Sequence, residues 1–181
     1  SRSSSRITNT NLTAEGTDRW YSTHQLPTSG KWYVECLVVR VYYYEKYWAY
    51  YSNPFGIVPM ANIGTNTATY MFMASNDVAS RGIYKAGSRI MNVNGYATND
   101  IMGFAYDADA NTMQFYRNGA TYGSKITGVP SSASLVYGNP QGADLSDCTV
   151  HHVNFGQQPF KHGPPAGFKA FNSFTSSSLR L

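Results

Sequence analysis

The acids, histidines and cysteines are where any chemistry in this chain would have to start. Acid/base catalysis needs two carboxylates set across a cleft. Asp107 and Asp109 are close in sequence, but they fall in a turn whose formation explains them, and Asp144 and Asp147 fall in a polar loop. Glu35 sits in a strand-like run, where burial with a hydrogen-bond partner suits it better than proton transfer. His151 and His152 are adjacent, so on a strand they face opposite sides and cannot share a metal. Cys148 and His152 share a strand face but stand roughly 13 Å apart along an extended chain, too far for a nucleophile and its base. His24 and His162 have no neighbour in sequence to work with. No Ser/His/Asp signature, phosphate-cradling loop or zinc-ligand spacing is present. Nothing in these residues points to an enzyme, a required metal or a cofactor.

Recognition is the chemistry the residues do favour. Tyr42-Tyr-Tyr-Glu-Lys-Tyr-Trp-Ala-Tyr-Tyr51 holds seven aromatic side chains in ten positions. Two strands joined near Glu45-Lys46 would bury alternate rings and leave the others facing outward. Tyr and Trp offer large contact area at small entropic cost, and their faces stack on sugar rings. Tyr42, Tyr44, Tyr47, Trp48, Tyr50 and Tyr51 are therefore candidate ligand-binding residues, with a purely structural role as the alternative. A second candidate surface is the polar loop 74–81, with Asn76, Asp77 and Arg81.

The elements that must position these residues are strands. Runs rich in Tyr, Val, Ile, Thr, Phe and Trp, separated by Gly, Pro, Asn and Ser, predict strands at 19–25, 31–42, 68–73, 82–84, 101–107, 112–117, 134–137 and 149–155. The sharpest unit is the hairpin 101–119, whose turn Asp107-Ala-Asp-Ala-Asn-Thr112 carries residues that hydrogen-bond their own backbone. Asn118-Gly119 closes its second strand. No segment repeats its apolar residues at helical spacing, and no internal repeat appears.

Composition agrees. Of 181 residues, 42% are hydrophobic, enough for one sizeable core and too many for wholesale disorder. Aromatics reach 15% against 13% charged residues, unlike a helical protein rich in Lys, Glu and Leu. No apolar run approaches the roughly 20 residues of a membrane span, and no signal peptide is expected behind Ser1-Arg-Ser-Ser-Ser-Arg6. The net charge of +4 owes most to Arg2, Arg6 and Arg180 in the Ser-rich ends. A clustered basic face for nucleic acid is not indicated. Cys36 and Cys148 are too few for a disulfide scaffold and read as buried thiols, with a cross-sheet pair as the alternative.

Four pieces, in order, resemble a SPRY domain, a bent β-sandwich used as a recognition module. They are Gly30-Lys-Trp-Tyr-Val-Glu35, Phe55-Gly-Ile-Val58, the hairpin from Asp107 to Gly119, and Val153-Asn-Phe-Gly-Gln157 followed by Pro159-Phe160. Two departures stand out. Asn99-Asp100 takes the place of the family's usual Gly-Asp step, and Ile-Met-Gly-Phe-Ala105 follows where Gly-Val-Ala is common. Pro164-Pro-Ala-Gly-Phe-Lys-Ala170 is similar to the endings of SPRY-like domains in bacteriophage structural proteins. The resemblance implies an all-β, bent two-sheet antiparallel sandwich of concanavalin-like jelly-roll type over 12–172. Residues 1–11 and 173–181 would then be tails or junctions. It also implies a non-enzymatic module on a virion surface, in a tail fibre, spike or capsid decoration, contacting a host glycan or protein. Its partners would be other virion subunits in a symmetric homo-oligomer, with no nucleic acid and no membrane insertion. A cellular SPRY adaptor that binds a short peptide, or a purely structural assembly unit, are the alternatives.

Overall fold

In a computed structural model of the chain, residues 6–8, 13–15, 19–40, 54–59, 70–73, 82–85, 88–130, 133–138 and 150–171 are described. They hold fourteen strands and no helix. In chain order these are β1 (Arg6–Thr8), β2 (Thr13–Glu15), β3 (Arg19–Gln25), β4 (Lys31–Arg40), β5 (Pro54–Pro59), β6 (Tyr70–Met73), β7 (Gly82–Lys85), β8 (Ser88–Met91), β9 (Ile101–Asp107), β10 (Thr112–Arg117), β11 (Ala120–Thr127), β12 (Ala133–Gly138), β13 (Val150–Asn154) and β14 (Lys169–Ala170). One sheet runs β1-β2-β13-β4-β9-β10-β11, with β14 also beside β4; the other runs β3-β12-β5-β6-β7-β8. Every pairing is antiparallel except that of β14 with β4.

Alternation along the strands builds the core. Val34, Cys36 and Val38 of β4 point to one side with Met102, Phe104 and Tyr106 of β9 and Met113 and Phe115 of β10. They meet Ile57 and Ile83 of the opposite sheet in one continuous cluster. Side chains of this size stabilise the fold by roughly 1.5–3 kcal/mol each when fully buried. The all-β two-sheet sandwich expected from sequence is the fold observed.

The turns follow from their residues. Asn118 and Gly119 both take positive φ, 51° and 82°, as a two-residue hairpin loop requires. They do more than close β10: the chain reverses directly into β11, with Arg117 opposite Ala120. In the β9–β10 turn, Asp107 accepts a hydrogen bond from the Ala110 amide (3.0 Å) and Asp109 accepts one from the Gly30 amide (2.9 Å). Asn99 stands at φ 71°, a conformation in which Asn is several-fold enriched over other non-Gly residues, which accounts for the departure at that step. Asp100 beside it is buried, accepts from the Ala97 amide (2.6 Å) and pairs with Arg117 (2.7 Å). Strand structure also begins earlier than the sequence suggests, since Arg6–Thr8, within the segment read as a tail, pairs with Thr13–Glu15.

Candidate functional site

The face of the larger sheet turned away from the core carries a built site. Register sets its side chains in rows. His152, Leu37 and Ile101 form one row across β13, β4 and β9. Asn154, Glu35, Gly103 and Tyr116 form the next, and Tyr33, Ala105 and Gln114 the one beyond.

The segment between β13 and β14 straps over the second and third rows. The chain leaves the lane beside β4 at Asn154, opposite Glu35, and returns in parallel as β14, with Lys169 opposite Trp32 and Ala170 opposite Tyr33. The strap begins with a self-bonded turn. Asn154 accepts from the Gly156 amide (2.9 Å) and donates to the carbonyls of Gln158 (3.2 Å) and Pro159 (3.3 Å). Gln157 accepts from the Phe155 amide (2.7 Å) and donates to the Val153 carbonyl (3.0 Å). The Asn-Phe-Gly-Gln pattern is thus the chemistry of a turn whose two amide side chains satisfy its own backbone.

Glu35 fastens the strap. Its carboxylate is only 3% exposed and receives the backbone amides of Lys161 (2.7 Å) and His162 (3.0 Å) and the Tyr33 hydroxyl (3.2 Å). A carboxylate taken out of water needs donors of this kind. Burial, and then the adjacent Glu35 charge, push the Tyr33 hydroxyl well above the usual phenol range, so it remains a donor at neutral pH. Phe160 stands edge-on to the Tyr33 ring at 5.1 Å, and Tyr116 meets that ring at 6.2 Å from the same face. Phe160 therefore caps a sheet face. Gly103 leaves room for the Tyr33 hydroxyl, with which a Cβ there would collide. At the far end His162 lies over the Asn118-Gly119 turn, where a Cβ on Gly119 would come within 2.9 Å of its Nδ1.

Where the strap stops, the first row stays open. A cleft of about 280 Å³ lies there, floored by Leu37 and Ile101 and walled by His152, Gln158, Pro159 and Lys161, with Glu35 at its base. Its polar groups do not assemble a catalytic pair. The one carboxylate already has three donors, and Cys36 lies in the core, where burial pushes its thiol up. Among the described residues no three His, Cys, Asp or Glu side chains gather to hold a metal ion.

The residues singled out by sequence stand as follows. The aromatic segment with Tyr42, Tyr44, Tyr47, Trp48, Tyr50 and Tyr51, and the loop with Asn76, Asp77 and Arg81, lie outside the described residues, as does Cys148. Cys36 is a buried free thiol. Glu35 has the hydrogen-bonded, buried role expected of it, and Asp107 and Asp109 serve the turn. Lys161, Gln158, Leu37 and Ile101 carried no sequence signal, although the alternation Glu35-x-Leu37 opposite His152-x-Asn154 marks one face of two strands.

Solved structures identify the architecture. The SPRY domain of human HERC1 superimposes with a TM-score of 0.64 at 13% identity, covering 86% of this chain and 94% of that one. The chain has a SPRY-like fold. The PSpry domain of TRIM65 is also similar, with a TM-score of 0.58 at 10% identity over 83% of this chain and 85% of that one. No protein-family model and no curated protein sequence matches the chain. In SPRY-like terms, the sequence pieces noted at 30–35, 55–58, 107–119 and 153–160 supply β4, β5, the β9–β10 turn with β10, and β13 with the start of the strap.

Proposed function

We propose that this SPRY-like domain is a non-enzymatic recognition module that binds a protein partner. The observation that carries the reading is the outer-face cleft, preformed by a pinned strap and furnished with polar groups that can bind but are not arranged to react. Preformed, half-apolar concavities with a few placed polar groups are where proteins take ligands. The fold supports the reading by analogy only. Panning a random peptide-display library on the immobilised chain tests it: enrichment of a consensus sequence is expected, and repeated failure to enrich any sequence contradicts it.

A second reading rests on Pro164-Pro-Ala-Gly-Phe-Lys-Ala170 and its similarity to phage structural chains. On that reading the module sits on a virion surface in symmetric copies and contacts a host glycan or protein. Mass spectrometry of purified virions tests this placement, and absence of the polypeptide from them contradicts it.

A further inference from the structure

The cleft on the outer face has a chemistry more specific than recognition in general. Its floor is apolar, from Leu37 and Ile101. Three side chains at its wall make no hydrogen bond or ion pair to the described residues: the Lys161 ammonium, the His152 imidazole and the Gln158 carboxamide. Gln158 and Lys161 are tied down only through their backbones, by Asn154 and by Glu35. All three side chains can donate hydrogen bonds, and one is a fixed cation. Among the described residues the only acid at the cleft, Glu35, is buried beneath it with its charge spread over two amides and a hydroxyl. A volume of about 280 Å³ is roughly nine times the share of one water in the liquid, room for one long side chain and part of its backbone.

We infer that this cleft receives an acidic side chain of a partner polypeptide. The aliphatic stem lies along Leu37 and Ile101, and the carboxylate is met by Lys161, His152 and Gln158. The inference deepens the recognition reading and rests on it. Charge complementarity selects the occupant: an uncommitted cation beside uncommitted donors favours an acceptor with a full negative charge, which a basic or purely apolar side chain does not offer. Preorganisation helps as well, because Glu35 already holds the backbone of the wall that carries Lys161, so ordering on binding is confined to the side chains.

The test is fluorescence anisotropy of the full chain with labelled hexapeptides, Leu-rich and carrying one central Glu or its isostere Gln. The Glu peptide is expected to bind at least about tenfold more tightly, the discrimination of one charge-assisted hydrogen bond. Lys161→Met should remove most of that preference and His152→Gln part of it. Neither should change the melting temperature, since both side chains are exposed and make no bond to the described residues. Equal affinity for the two peptides, or a preference that survives Lys161→Met, overturns the inference. So does displacement by sodium acetate or sodium phosphate at the concentrations at which the peptide itself competes, which would make this a small-anion site. A panned consensus with no acidic position also discards the acidic-side-chain inference while leaving the recognition reading standing.

Discussion

Glu35 is the side chain whose removal should cost the most for its size. It is buried in the outer row of β4 and accepts three hydrogen bonds, two of them from the strap amides of Lys161 and His162. In Glu35→Gln the shape is kept, but one carboxylate oxygen becomes a nitrogen that donates and cannot accept. The least costly orientation gives up the single bond to Oε2, from Lys161, and keeps the two to Oε1. One hydrogen bond to a charged acceptor is worth about 1.5–3 kcal/mol. For a chain of this length each kcal/mol moves the melting temperature by about 2–4 °C, so Glu35→Gln should melt about 3–12 °C lower. Glu35→Ala, which loses all three bonds and leaves a void, should cost about 3 kcal/mol or more. Urea denaturation of the three proteins gives the stabilities, and amide hydrogen exchange locates the damage. Protection should fall first at Lys161 and His162, while Phe104 and Phe115 in the core keep theirs. Stabilities within about 0.5 kcal/mol of one another, with unchanged exchange at Lys161 and His162, would refute the latch.

Three further outcomes follow from the packing. Gly103→Ala should destabilise by about 1–3 kcal/mol in thermal melts, because its Cβ meets the Tyr33 hydroxyl in a packed layer. Tyr106→Phe should be neutral or slightly stabilising in the same assay, since the Tyr106 hydroxyl is buried with no hydrogen-bond partner. Burial acts to raise the Asp107 carboxyl, but the Ala110 amide, the Lys31 ammonium at 3.1 Å and the Asp109 amide outweigh it and hold it below its ordinary 3.8. Its stabilising contribution is therefore complete above the unfolded value, near pH 4, and is lost as pH falls through the lower folded value. Asp107→Asn should flatten that part of the acid limb of stability against pH, and modestly, because Lys31 is largely exposed.

The parts of the fold legible in the sequence were those with one buried face. β9 and β10 fall at the residues their alternation predicts, because Met102, Phe104, Tyr106, Met113 and Phe115 must all face the core. β8 and β11 escaped for the opposite reason: Ser88–Met91 and Ala120–Thr127 end their sheets and are mostly exposed on both faces, so no apolar period marks them. Asn118-Gly119 signalled a turn, but only the paired strand beyond it shows that the turn is a hairpin loop. The site divides the same way. A lone carboxylate in an apolar strand announces that Glu35 must find donors, yet two of its three donors come from 126 and 127 residues downstream. The cleft is made by that long-range closure, so Lys161 and Gln158 carry no local mark of it.

The most direct test of the account is a ¹⁵N NMR titration of the full chain with the Glu-containing hexapeptide. Recognition at the strap-walled cleft predicts saturable shifts at Leu37, Ile101, His152, Gln158 and Lys161, with saturation moved to higher peptide concentration in Lys161→Met. Shifts confined to residues elsewhere, such as 42–51, or no shift at any amide, would contradict it.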